Sequence, residues 1–455
     1  MFDLPRRLAA RDVPVRVGVV GAGTFGQATT DSASAVDGLR VAGVADLDRD
    51  RAVRTLRGDD PEQTDDPAAV HEAVAAGRPV ATADATALIR SDVDVVLEAT
   101  GVPAAGARHA YEAILADTHV VMATVEADTV VGPTLARLAE RAGVVYTHAY
   151  GDQPALTVEL VAWARLAGFE VVVAGQGRNL RAADRYGTPD DALERFGFSP
   201  AYVAEHDPNP RLYNSFLDGT KMAVESCAVA NATGLPPDTR GMHVPTAEIA
   251  EIPNRLRPAA DGGLLSASGV VDVVSTVHPD GSTTDTGFPY GVFVVVRAPN
   301  ARARTHLHEG VGGGEGVVTS ADGEYALFYR PYHLPGVETT VSVAQAAVRG
   351  EPTGTARGRV AEAVAAAKRD LDPGERITGG GGERVYGIVE RAGATPDAVP
   401  LELLDGAELR RPVERDRTLT YEDVDLDRGS FLYHLRALGD DLSDPRGAQS
   451  ARPDS

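Results

Sequence analysis

The chain has 455 residues, 43% of them hydrophobic and 24% charged, more than a single hydrophobic core accommodates, so two or three globular domains are expected. With 66 acidic against 44 basic residues and a formal net charge of -22, it would be repelled by nucleic acid and by anionic membrane surfaces, which are excluded as expected partners. Only two basic residues, Lys221 and Lys368, are lysines, and this acidic, arginine-dominated balance reads as a halophilic surface kept hydrated and screened by salt.

The opening "MFDLPRRLAARDVPVRVGVV" has no apolar leader segment, and no later apolar run approaches the roughly 20 residues that span a bilayer. The expected location is the cytoplasm. From Val15 the sequence alternates β-branched runs ("VRVGVV", "LRVAGVAD", "VDVVLEATG", "THVVMAT", "GVVYTHAYG") with alanine-rich helical stretches. That rhythm predicts an α/β fold with a doubly wound parallel sheet over residues 1–150. The acidic stretch "RGDDPEQTDDP" reads as a solvated loop.

From about Gly151 a helix carrying Trp163 leads into "FEVVVAGQG", a polar helical region, and the strands "GVVDVVSTVH", "YGVFVVVRA" and "GEYALFYR". A mixed α/β substrate and dimerisation domain over 151–347 is expected. Past the linker-like "VRGEPTGTARGR" come short strands that predict a small β-rich domain over 356–435, and 439–455 reads as a tail without order.

"GAGTFG" places Gly21, Gly23 and Gly26 in G-x-G-x-x-G spacing between a strand and a helix. The first glycine permits the turn, the second lets backbone approach a pyrophosphate, and the third packs helix against strand. Thr24 and Phe25 at the helix start would offer N–H groups to the phosphates. Asp46 ends the second strand about 20 residues later, where a carboxylate accepts from a ribose hydroxyl. NAD or NADP is the implied cofactor. Asp46 favours NAD, and the nearby Arg49 and Arg51 leave NADP open. Thr100 and Gly101 in "EATGVP" and Glu126 in "TVEAD" sit on the rim where a nicotinamide half would lie.

"NSFLDGTKMAVESCAVANA" has helical apolar spacing, and Asp218, Lys221 and Glu225 at i, i+3 and i+7 would share one helix face. A lysine among carboxylates can relay a proton to a hydroxyl or carbonyl oxygen. The bland alternative is a surface ion-pair ladder, which arginine would serve as well. Cys227 on the same helix reads as a buried structural thiol. Gln176 and Arg178 in "AGQGRN", with Arg330 and His333 in "YRPYHLPG", are substrate candidates, the arginines suiting a carboxylate or phosphate. His206 in "EHDPNP" is a weaker proton-transfer candidate. "HLHEG", with His306, His308 and Glu309, would put both histidines on one face of a strand, but no convincing remaining ligand set is visible and no metal is expected.

The glycine fingerprint, "TVEADTVVGP", "YGDQPALTVEL", "AGQGRN", "YNSFLDGTKMAVE" and "ALFYRPYHLPGVETTVSVAQA" together resemble the homoserine dehydrogenase-like oxidoreductases that carry a C-terminal SAF domain. That group includes deoxyxylulose-phosphate reductoisomerase-like enzymes. "AKRDLDPGERIT" is similar to the opening of the SAF module, a small β-clip domain. The resemblance implies an NAD(P)-dependent oxidoreductase acting on a CH–OH or carbonyl group of a small polar metabolite, in which Lys221 is catalytic and Asp218 stands beside it. A homo-oligomer paired through the middle sheet is expected. Homoserine dehydrogenases carry a further lysine where this chain has Val125 and Glu126, and space their helical aspartate and lysine by four residues instead of three. A non-catalytic NAD(H)-binding redox sensor is the alternative from another class, and it would have no use for the charged face around Lys221.

Overall fold

Short runs of valine, leucine and alanine, apolar on both faces, build the first sheet. In the computed structural model, which describes residues 3–57, 60–309 and 317–443, these runs form β1 (Val15–Val20), β2 (Leu39–Ala45), β4 (Val80–Thr82), β5 (Val95–Glu98) and β6 (His119–Met122), and two more polar strands, β3 (Glu62–Gln63) and β7 (Tyr146–His148), lie at the edges. All pair in parallel in the order β3-β4-β2-β1-β5-β6-β7, the doubly wound arrangement expected from the alternation. The strand order reverses beside β1, where such sheets bind ligands at their carboxyl ends. β3 lies inside the acidic stretch read as a loop, so that segment also contributes an edge strand.

The connecting helices start where the sequence provides caps. The side chains of Asp48, Asp66 and Asp84 accept the N–H groups of Arg51, Ala68 and Ala87, and prolines open the helices Pro67–Ala75 and Pro103–Leu115. Gly143, with φ 74°, closes the long helix Val125–Ala142.

The first unit runs through residue 155 and includes two later segments, Leu334–Arg357 and the described residues from Arg428 to 443. This departs from the sequence boundaries, which placed 334–347 in the middle domain and 428–435 in the third. Val343 and Ala344 of the helix Thr340–Arg349 join the apolar cluster of Val15, Val17, Leu97 and Val121. Ser342 fixes that helix further, accepting from the Tyr150 N–H at 2.8 Å. The helix Phe431–Ser443 packs on the Pro103 helix, with the Phe431 and Tyr111 rings 5.3 Å apart. Part of the expected tail is therefore helical, and 444–455 lie outside the described residues.

The second unit holds Leu156–His333 and Gly358–Asp427. Its five-stranded sheet contains β8 (Glu170–Arg178), β9 (Val270–Ser275), β10 (Val292–Arg297), β11 (Val318–Thr319) and β12 (Tyr325–Arg330), in the order β11-β12-β10-β8-β9. Only β8 and β9 run parallel, so the sheet is mixed as expected. The small β-rich part pairs β13 (Ala361–Ala367) with β14 (Val385–Arg391) and β15 (Glu408–Leu409) with β16 (Val424–Asp425), both antiparallel. Among the described residues no helix is long and apolar enough to cross a membrane.

The glycine turn of the first unit is sterically committed. Gly21 has φ +100°, and a Cβ on Gly26 would stand 1.9 Å from the Gly21 carbonyl oxygen. Gly26→Ala is therefore expected to lower folding stability by about 1–3 kcal/mol. A melting curve checks this, and an unchanged midpoint would contradict the close packing of this helix on β1.

Candidate active site

At the fingerprint turn each glycine has a distinct steric surrounding. A Cβ on Gly23 would meet nothing within 4 Å, which leaves open space where a pyrophosphate would press against the backbone. Gly23 is also the N-cap of the helix Thr24–Ser34 and supplies no capping side chain, so the first N–H groups of that helix suit an anion. The donor set and the open turn fit a dinucleotide.

Asp46 fastens this turn. Its Oδ2 accepts the Ala22 N–H at 2.8 Å, and its Oδ1 accepts the Asp48 N–H at 2.9 Å. Both arginines that left NADP open are engaged by carboxylates. Arg49 pairs with Asp65, and Arg51 lies 4.0 Å from Asp46 and 3.8 Å from Asp48. The Thr100 hydroxyl donates to Glu98 Oε1, and the Gly101 N–H donates to Thr124 Oγ1 at 3.0 Å. Glu126 sits in the first turn of the helix Val125–Ala142.

Sequence reasoning missed a buried polar cluster at the carboxyl ends of these strands. Tyr146 donates its hydroxyl to Asp128 Oδ1 at 2.9 Å, and His148 Nε2 lies 3.0 Å from Asp128 Oδ2. Burial, followed by Asp128 and Glu98, pushes the Tyr146 phenol well above its usual range. Burial opposes charge on His148, yet Asp128 and Asp152 outweigh it and hold the imidazole above its ordinary 6.5. The available signal was positional, since strand ends in a parallel sheet are where polar residues gather.

In the second unit the lysine segment is not one helix. Asp218 ends the helix Pro210–Leu217, Gly219 takes φ +86°, and a new helix begins at Thr220 and runs to Thr233. Gly219 is the reason, because that backbone conformation strongly favours glycine and breaks a right-handed helix. The shared face of Asp218, Lys221 and Glu225 is thus corrected: Lys221 and Glu225 lie within one helix, and Asp218 belongs to the break before it.

Lys221 Nζ lies 3.8 Å from Glu225 Oε1. The other oxygen, Glu225 Oε2, is held by Arg178 Nη2, which also donates to Gln176 Oε1 at 3.1 Å. Gln176, Arg178 and Glu225 are buried, while Lys221 keeps 15% of its side-chain exposure. Two cations share one carboxylate. Among the described residues Gln176 Nε2 and Arg178 Nε are buried donors without a hydrogen-bond acceptor, a combination that asks for an anionic ligand group.

Asp218 is fully buried and pairs with Lys368, with Nζ 2.8 Å from Oδ2. Burial raises the Asp218 carboxyl although Lys368 opposes the shift, and burial lowers the Lys368 ammonium against the pull of Asp218. Lys368, the residue after β13, was not among the expected site residues.

The remaining candidates fall elsewhere in this unit. Gln176 and Arg330 are both register partners of Val292, so their side chains leave the same sheet face across three strands. The Arg330 guanidinium stacks over Tyr332 at 4.5 Å. His333 is half-buried and meets the Tyr290 carbonyl at 2.5 Å. His206 is exposed and stacks on Tyr202 at 4.2 Å, while Cys227 is buried against the Ala361 carbonyl. His306 and His308 lie on a helix, Ala301–His308, where residues two apart point to nearly opposite sides. The strand geometry expected for them is corrected.

Residues 17–149 match the family described as homoserine dehydrogenase, NAD binding domain; 151–339 match oxidoreductase DRL, catalytic domain; and 362–425 match the SAF domain. No curated protein matches the sequence. Solved structures similar to this chain include myo-inositol dehydrogenase from Lactobacillus casei in complex with NAD(H) and myo-inositol, at 18% identity and TM-score 0.28 over 40% of this chain and 50% of that one. An NAD binding oxidoreductase from Klebsiella pneumoniae has 21% identity and TM-score 0.27 over 38% and 45%. The chain thus spans about half the length of such relatives.

The buried Asp128 cluster generates a test. A histidine raised above its unfolded value contributes stability that is complete below about pH 6.5 and is lost as pH rises through its folded value. Asp128→Asn is expected to cost about 3 kcal/mol on the acid side, with the deficit shrinking as pH rises. Urea unfolding across a pH series measures it, and a deficit that grows with pH would contradict this assignment.

Proposed function

Because this homoserine dehydrogenase-like chain joins an NAD-binding domain to an oxidoreductase catalytic domain and a SAF domain, we propose that it is an NAD(P)-dependent oxidoreductase acting on the carbonyl or alcohol carbon of a small carboxylated or phosphorylated metabolite. The observation that carries the proposal is the array in which Lys221, partly exposed, meets the buried Glu225, Arg178 and Gln176.

The nicotinamide supplies or accepts hydride when the dinucleotide is bound. The fingerprint turn and the N–H groups following Gly23 hold its pyrophosphate, and Asp46 meets the adenosine ribose and disfavours a 2′-phosphate. Lys221 then manages the proton on the substrate oxygen. Reduction of a carbonyl leaves negative charge on that oxygen, and an ammonium beside it both stabilises the charge and donates the proton. Glu225 orients Lys221 and is itself held by Arg178. Arg178 Nε and Gln176 Nε2 are placed to receive an anionic group of the substrate, and Arg330 leaves the same sheet face as Gln176.

Lysine suits this task where arginine does not, because it can release a proton near neutral pH when its surroundings favour that. Lys221→Met is expected to lower kcat by roughly 10²–10⁴-fold while leaving the dinucleotide dissociation constant unchanged. Undiminished turnover would refute the role assigned to Lys221. Cofactor choice is read from kcat/KM with each dinucleotide. NAD is expected to win, and a clear NADP preference would overturn the role given to Asp46.

A further inference from the structure

Only two lysines occur in the chain, and both act at the start of the same helix. Lys368 reaches it from the SAF domain. Its Nζ donates to the Gly187 carbonyl at 2.6 Å and the Gly382 carbonyl at 2.7 Å, and lies 2.8 Å from Asp218 Oδ2. Two backbone carbonyls take its hydrogen bonds, the Asp218 carboxylate is its countercharge, and the side chain is 2% exposed. A group so enclosed has no path to a substrate.

Asp218 transmits this hold to the helix. Its Oδ1 accepts the Thr220 N–H at 2.8 Å, fastening the first residue after the Gly219 break, and Lys221 follows directly. The SAF domain grips Thr220 a second time, since the Gly387 N–H of β14 donates to Thr220 Oγ1 at 2.8 Å. Contact there is close: a Cβ on Gly387 would stand 2.9 Å from the Thr220 Cα.

We propose that Lys368 is a positioning residue through which the SAF domain sets the place of Lys221. The proposal rests on the reading of Lys221 given above. Lys368 neutralises Asp218, so the Asp218 carboxylate stays on the Thr220 N–H and does not draw the Lys221 ammonium away from Glu225. Removing Lys368 leaves a buried carboxylate three residues before Lys221 without its countercharge. The nearest mobile cation then turns toward it, and the array with Glu225 and Arg178 comes apart.

The test uses the full-length protein with three variants, Lys368→Met, Asp218→Asn/Lys368→Met and Lys221→Met. Turnover is normalised to NADH-binding sites, so unfolded protein does not count. Lys368→Met is expected to lose about 100-fold in kcat, the scale of a misplaced catalytic group, with KM and NADH affinity little changed. The double variant removes the stranded charge along with its partner and is expected to recover most of the lost turnover. A purely structural pair would lower the melting temperature without moving kcat per binding site.

Wild-type kcat per site in Lys368→Met overturns the proposal, as does a double variant no faster than the single one. If Lys368→Met yields no folded protein, the double variant decides alone: turnover near wild type supports the proposal, and a loss near 100-fold contradicts it. Lys221→Met separates the two readings. Full activity there defeats the catalytic role of Lys221 itself, whereas an inactive Lys221→Met beside a fully active Lys368→Met defeats only the positioning role.

Discussion

The catalytic half of this molecule depends on how buried charge is compensated. Within one unit lie Asp218 with Lys368, and Glu225 with both Arg178 and Lys221. A lone carboxylate in such surroundings is costly, and breaking a buried pair by removing one partner typically destabilises a protein by about 3–5 kcal/mol. Each anion here is therefore supplied with a cation from a different element. The two arrays are not alike. Asp218 and Lys368 balance one to one and are closed off by backbone carbonyls. Glu225 is outnumbered by its two cations, and unsatisfied donors remain on Gln176 and Arg178.

That asymmetry carries the functional reading. In a chain of net charge -22, Arg178 and Lys221 both meet the Glu225 carboxylate, an arrangement that supports the proposed anionic substrate. The Rossmann unit supplies the complementary requirement, a turn with open space at Gly23 and a helix start without a side-chain cap. Neither feature alone implies oxidoreduction. The three family matches support an NAD-binding domain followed by an oxidoreductase catalytic domain, and the proposal places hydride transfer and proton handling on these two features.

Much of the first unit was legible because its signals are local. Three glycines, a strand before them and an acid after them lie within a short segment, and the parallel sheet follows from the alternation of strand and helix. The site in the second unit was half legible. Lysine in an arginine-rich chain drew attention to residue 221, and helical spacing correctly joined it to Glu225. The same spacing misplaced Asp218, because a periodic pattern does not register that Gly219 turns left-handed. Lys368 and the helix Thr340–Arg349 were beyond reach for another reason: their partners are distant in sequence, and only the folded chain brings a SAF lysine to Asp218 or Val343 to the first sheet. "HLHEG" shows the limit of short windows, which do not distinguish strand from helix without their tertiary setting.

The proposed reaction moves hydride between a nicotinamide and a small anionic carbonyl or hydroxy compound. Nicotinamide absorbance, followed while purified protein is offered hydroxy acids, sugar phosphates and semialdehydes in buffers of low and high salt, tests it most directly. Substrate-dependent oxidation or reduction of the cofactor is expected with at least one carboxylated or phosphorylated compound, and none with its uncharged analogue. Tight dinucleotide binding with no absorbance change for any compound, or equal turnover of charged and uncharged analogues, would contradict it.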